Sequence, residues 1–184
     1  MTEAGELSVQ EFKGITFDEK RSAITMGIKT IRFGEINGRE VAIKTWDKNG
    51  NGKPEEERKV YKRLRMTALK EFTPEPVCLI RNGLGKIIGL AIEARKGELL
   101  TVYKAQKRKS LTKEMIDGLE GAVLTAYDEG RGAALDYKML EPDNLGFDGQ
   151  GLWFCSCGLG QPDENYEETI KQMTGYLREN FCRK

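Results

Sequence analysis

Across residues 135–148 the chain reads Leu-Asp-Tyr-Lys-Met-Leu-Glu-Pro-Asp-Asn-Leu-Gly-Phe-Asp, which puts four carboxylates and one carboxamide within fourteen residues. Carboxylates take up protons and bind hard cations, and a carboxamide oxygen can join a cation's shell. Asp136, Asp143 and Asp148 are therefore candidate bases or metal ligands, with Asn144 beside them. Asp136 also has a plainer reading, as a loop anchor that accepts backbone N–H groups. Met139 sits inside the block. Its thioether cannot accept a proton at physiological pH, and methionine's usual work is filling apolar gaps. A second set lies upstream, where Lys44 closes the apolar run Val41-Ala42-Ile43 and Glu57 ends the acidic triplet Glu55-Glu56-Glu57. By themselves these read as a strand ending in lysine and as acids at the positive end of a helix dipole. The chain has no histidine, which excludes histidine acid–base chemistry and most zinc sites.

Those residues need elements to hold them. From 23 to 46 apolar and polar residues alternate through Ile24, Ile28, Ile31, Phe33 and Ile36. Asn37-Gly38 then supplies the positive φ angles of a tight turn into Val41-Ala42-Ile43-Lys44, which predicts a hairpin. Pro54 followed by three glutamates marks a helix start, with Val60, Tyr61, Leu64 and Leu69 as its apolar face. Residues 77–80 and 86–93 flank Asn82-Gly83-Leu84-Gly85 as a second hairpin, and 145–147 and 152–154 flank Asp148-Gly149-Gln150-Gly151 as a third. Met115, Leu119, Val123 and Tyr127, spaced by fours, predict a helix from about 112 to 127. A closing helix near 164–181 carries Tyr166, Ile170, Met173, Leu177 and Phe181 on one face. No internal repeat or low-complexity segment appears. A sheet-rich first half and a helix-rich second half make the fold α+β.

With its motifs in register, the chain resembles the protein-kinase superfamily over roughly residues 24–160. Val41-Ala42-Ile43-Lys44 matches the strand whose lysine holds the α- and β-phosphates of ATP, and Glu57 matches the helix-C glutamate that pairs with it. Leu90-Ala91-Ile92-Glu93 looks like the strand leading to the hinge, where backbone groups meet adenine in active relatives. Leu140, Pro142, Asp143 and Asn144 fit the Leu-Lys-Pro-Glu-Asn form of the catalytic loop, which makes Asn144 the match for a magnesium-binding asparagine. Ser156-Cys157-Gly158 falls twelve residues after Asn144, where the family has Asp-Phe-Gly. The combination carries the resemblance, more than any single part.

Several working parts are replaced. Met139 stands where the family has its catalytic aspartate, and Ser156 stands where an aspartate grips magnesium. A serine hydroxyl is a much weaker ligand for a hard cation. Glu141 replaces a lysine that often neutralises the transferring phosphoryl group, so negative charge sits where the chemistry wants positive. Of the glycine-rich phosphate loop only Gly27 and Gly34 lie nearby, with Lys29 about where the third glycine belongs. Losing a positioned base alone costs about 10²- to 10⁴-fold in rate, roughly 3 to 5 kcal/mol of barrier. Only twenty-six residues follow Gly158, and no Ala-Pro-Glu segment is among them.

The resemblance implies one kinase-like, two-lobed domain over residues 1–184, beginning with an extension over about 1–21. An N-lobe of antiparallel sheet plus helix C spans about 22–95, and a truncated helical C-lobe spans about 96–184. The implied function is that of a pseudokinase, catalytically weak or inactive, which binds and positions another protein as a regulatory scaffold. Lys44, Glu57, Asn144, Glu93 and Gly27 would form a residual site for ATP or ADP at low affinity, with Asn144 the remaining magnesium ligand. Two alternatives stand beside this reading. One is an atypical kinase or nucleotidyl transferase in which Asp136, Asp143 or Asp148 recruits metal or acts as base. The other is an adaptor that uses no nucleotide. A homodimer and a compact monomer fit the short C-lobe equally.

Composition narrows the partners. Thirty basic against twenty-nine acidic residues leave a net charge of +1, so no global field argues for nucleic acid or an anionic membrane. Residues 1–20 lack a signal peptide's apolar core, and no run of eighteen apolar residues follows, so a cytoplasmic location is expected. Four cysteines, Cys78, Cys155, Cys157 and Cys182, suit a reducing compartment. Cys155-Ser156-Cys157 lacks the further ligands of a zinc site and reads as small buried residues. Asp47-Lys48-Asn49-Gly50-Asn51-Gly52 imitates the start of an EF-hand loop, but Arg58 occupies the twelfth position and a turn is expected instead. Lys104, Lys107, Arg108 and Lys109 form the densest basic run, read as a solvated linker or helix end, with an acidic peptide or nucleic acid as its alternative ligand.

Overall fold

A computed structural model describes residues 9–26, 29–46, 53–129, 136–157 and 165–183. The fold is α+β, as the sequence predicts, and the chain divides into two compact units. The first comprises Met1–Lys59 and Glu75–Ala94, the second Val60–Pro74 and Arg95–Lys184. Helix α1 (Pro54–Leu64) contributes its first six residues to one unit and the rest to the other.

The first unit is built on a seven-stranded sheet of β1 (Val9–Glu11), β2 (Thr16–Phe17), β3 (Ile24–Met26), β4 (Lys29–Ile36), β5 (Arg39–Trp46), β6 (Pro76–Arg81) and β7 (Ile87–Glu93). The strand order is β1-β6-β7-β5-β4-β2, with β3 also paired to β4. The predicted hairpin forms β4 and β5, and Asn37 (φ 52°) and Gly38 (φ 76°) take the two left-handed positions of its turn. That two-residue turn fixes the register, setting Ile36 opposite Arg39, Ile31 opposite Lys44 and Lys29 opposite Trp46. Strand β5 is central and buried on both faces from Val41 to Lys44. Val41 and Ile43 join a core with Ile15, Ile36, Cys78, Ile80 and Ala91, while the two-residue alternation of a strand turns Ala42 and Lys44 to the other face.

Residues 9–17, placed by sequence in an N-terminal extension, supply two strands, one of them parallel to β6. The sequence pattern misses them because two or three residues are too few to show a period. Gly34, placed by sequence near a phosphate loop, lies inside β4 opposite Phe17. A Cβ there would stand 2.5 Å from the Thr16 carbonyl oxygen, so this glycine lets β2 approach.

The second unit holds a three-stranded sheet, β8 (Glu98–Leu99), β9 (Leu145–Phe147) and β10 (Leu152–Phe154), in the order β10-β9-β8. Helices α2 (Leu100–Ala105), α3 (Lys113–Asp128) and α4 (Tyr166–Phe181) complete it. Thr112 caps α3 by accepting the Met115 N–H at 3.3 Å. Helix α4 packs on α3 and buries Ile170, Thr174, Leu177 and Phe181, with Ile116, Leu119 and Val123 buried on α3. Thr174 takes the buried place that sequence spacing gives to Met173; its one hydroxyl proton has Ile170 O at 3.0 Å and Glu120 Oε2 as acceptors in reach, so its polar group is satisfied. Tyr166 lies against Tyr127, ring centroids 3.4 Å apart. Helix α1 stops at Leu64 because the Thr67 hydroxyl donates to the Leu64 carbonyl at 2.7 Å and then accepts the Leu69 N–H. Leu69 is buried, but beyond the helix whose face it was expected to extend. Among the described residues no helix is long and apolar enough to cross a membrane.

Candidate functional site

In the first unit Lys44 is the one large charged side chain among the most deeply buried residues described. Sheet alternation turns it toward α1, where its ammonium donates to Glu57 Oε1. An isolated buried ammonium would be strongly unfavourable, and the carboxylate offsets that cost. Glu57 is 9% exposed and meets a second cation, the Lys29 ammonium, 3.5 Å from Oε2. Lys29 reaches it because the register sets Lys29 and Ile31 opposite Trp46 and Lys44, and so on the same face. Its ammonium also lies 5.8 Å from the Trp46 ring centroid. Burial alone would raise the Glu57 pKa, but the charges of Lys44 and Lys29, with their hydrogen bonds, outweigh it and hold the carboxyl below its ordinary range. Lys29 was missed as a partner of this pair. Counting back from the Asn37-Gly38 turn would have found it, since the turn length sets the register.

Glu93, the hinge-side candidate, closes β7 opposite Val41. Its N–H donates to Glu75 O at 2.8 Å and its Oε2 accepts the Glu75 N–H at 3.4 Å, so it ties down the end of the β6–β7 pair. Gly27 and the EF-hand-like stretch 47–52 lie outside the described residues.

The second unit holds the other candidates. Asp136 caps a 3-10 turn over Tyr137–Leu140, its Oδ1 accepting the Lys138 N–H at 3.0 Å, which is the anchoring geometry expected of it. Met139 is buried. The Asn144 side-chain amide donates to Lys138 O at 2.6 Å, and the Asn144 carbonyl accepts the Cys155 N–H at 2.8 Å. The β9–β10 hairpin thereby brings Asn144 and the segment containing Ser156 to one end. The buried Tyr61 hydroxyl holds that segment too, donating to Cys155 O at 3.1 Å. Asp148 Oδ1 accepts the N–H groups of Gln150 and Gly151, both at 2.8 Å, and shapes the hairpin turn. Asp143 is exposed and has no hydrogen-bond or ion-pair partner among the described residues.

Asn144 and Ser156 together supply no carboxylate, and no group of three Cys, Asp or Glu able to hold a metal gathers among the described residues. That donor set fits magnesium poorly. No family model matches the sequence, and no curated protein matches it.

Proposed function

We propose that this chain is a pseudokinase: a kinase-like, two-lobed protein, catalytically weak or inactive, that works in the cytoplasm as a regulatory scaffold for a protein partner. The observation that carries the reading is the buried Lys44–Glu57 pair, a strand lysine meeting a helix glutamate as the resemblance requires. Met139 is buried apolar filling where a base would stand, and two of the three displaced aspartates, Asp136 and Asp148, are engaged in their own turns. Any ATP or ADP binding is expected to be weak and to depend on Lys44.

The test is thermal unfolding with ATP, ADP and a non-hydrolysable analogue, with and without magnesium or manganese. A ligand at about ten times its Kd adds roughly 1.4 kcal/mol, or about 3 to 6 °C for a chain of this size. A shift present in the native chain and absent in Lys44→Ala supports a residual nucleotide site. No shift at millimolar nucleotide removes the nucleotide and leaves the adaptor. Asp143 carries a second reading, a metal-dependent phosphoryl or nucleotidyl transferase, because its carboxylate is exposed and uncommitted. That reading requires label transfer from ATP that Asp143→Asn abolishes.

A further inference from the structure

Residues 104–109 are all exposed and include Lys104, Lys107, Arg108 and Lys109. They run from the last two residues of α2 through its C-cap, Gln106, into the turn beyond. The Lys107 N–H donates to Lys104 O at 3.0 Å and the Arg108 N–H to Tyr103 O at 2.8 Å, the paired closure that normally places glycine in the left-handed position. Here that position, φ 53°, is held by Lys107. A side chain there is strained, because its Cβ crowds the neighbouring carbonyl.

The neighbouring cations have reasons within the chain. Lys109 Nζ donates to Glu179 O at 2.9 Å, at the negative end of α4. Arg108 pairs with Glu98, and Lys104 meets the Tyr176 hydroxyl. The Lys107 ammonium has no ion-pair or hydrogen-bond partner among the described residues, so placing a lysine in this strained position gains no side-chain contact inside the chain. Arg183 adds another exposed cation at the same place, since its N–H donates to Leu111 O at 3.1 Å while Ser110 and Leu111 donate to Phe181 O. Glu98, Glu114 and Glu179 are the acids nearby in sequence or contact.

We propose that this basic turn, with Lys107 at its tip, docks an acidic segment of a protein partner. Carboxylates suit it better than nucleic acid bases, which need open aromatic faces to stack on. Tyr103 is buried with the Arg108 guanidinium 4.0 Å over its ring, and Tyr176, which is exposed, already carries the Lys104 ammonium 5.1 Å over its ring. The Glu98–Arg108 pair already shows one carboxylate seated here. The inference extends the scaffold reading by naming the partner's chemistry. It uses the second unit alone, so its failure and that of the nucleotide reading are separate results.

The experiment measures anisotropy of a fluorescein-labelled oligoglutamate peptide titrated with the full chain, at two salt concentrations. Binding should weaken with salt and fall on the order of tenfold in Lys107→Glu/Arg108→Glu. An equal charge change at exposed residues of the first unit, Lys13→Glu/Lys86→Glu, should leave it within about twofold. Lys107→Gly separates display from strain: it should raise Tm by about 2 °C and still weaken binding about threefold. That variant also carries the test if the charge reversal fails to fold. The proposal is overturned by no binding at millimolar protein, by equal losses in both double variants, or by undiminished binding in Lys107→Gly. It is likewise overturned if oligothymidylate of equal charge binds more tightly than the peptide.

Discussion

Lys44, Glu57 and Lys29 behave as one charged unit, and their stoichiometry decides what each substitution costs. Breaking a buried pair typically costs about 3–5 kcal/mol, because one charge is left behind. In Lys44→Ala the residual charge on Glu57 still meets Lys29, so the loss should be about 2–3 kcal/mol, below the full value. Adding Lys29→Ala should then cost more than it does alone, a coupling readable from urea unfolding of the two single variants and the double. Strict additivity would show that Lys29 does not support the carboxylate. The pH dependence has a definite sign. The folded pKa of Glu57 lies below its ordinary 4.5, so the unfolded chain binds the proton more readily. Its contribution is complete above about 4.5 and is lost as pH falls through the folded value. The acid limb of the native stability curve should therefore be steeper than that of Glu57→Gln. Lys44 and Glu57 were legible because their motif is local; Lys29 was legible only through register. Glu93 could be placed on its strand, but its hydrogen bonds to Glu75 lie at the open end of the β6–β7 hairpin, beyond register irregularities that the turn residues do not announce.

At the scale of elements, the three hairpins and the helices α1, α3 and α4 could be read because their turns or periods are strong. Asn37-Gly38 is a chemical instruction, whereas β1, β2, β8 and α2 are too short to establish a period and are specified by what they pack against. The pairing of β1 with β6 spans about seventy residues and leaves no local trace. Close packing inside a legible element is equally hidden. Gly146 of β9 faces Trp153 of β10, and a Cβ at Gly146 would overlap the indole. The ring cannot retreat cheaply, because its N–H donates to Lys96 O at 3.1 Å. Gly146→Ala should thus cost about 1–3 kcal/mol as an overpacked site. Gly151→Ala, with open space around its added methyl, should cost under about 1 kcal/mol. Equal Tm values for the two variants would mean that the hairpin does not hold the indole as described.

For the whole molecule, the α+β class and the order of the longer elements were readable, but the grouping of residues 60–74 was not. Residues 60–74 group with the C-terminal unit although the first five of them complete the helix that carries Glu57, a partition set by long-range packing. The closing helix is the clearest case of a part serving the whole of its unit. It buries Ile170, Leu177 and Phe181, and Arg178 reaches both Asp117 and Glu120 on α3 at 2.7 Å. Removing it would uncover Leu111, Ile116, Leu119 and Val123, each worth about 1.5–3 kcal/mol when buried. The sum, roughly 6–12 kcal/mol, is comparable with the entire stability of an ordinary domain, about 5–15 kcal/mol. A chain ending at residue 165 should therefore lose the second unit's fold. One tryptophan in each unit makes this measurable: with Trp46→Phe in place, Trp153 reports on the second unit. Truncation should shift its emission to the red and remove amide-exchange protection from Leu145–Phe147. Unchanged emission with retained protection would show that the β8–β9–β10 sheet stands without α4, and that the helix is a separable face open to another partner.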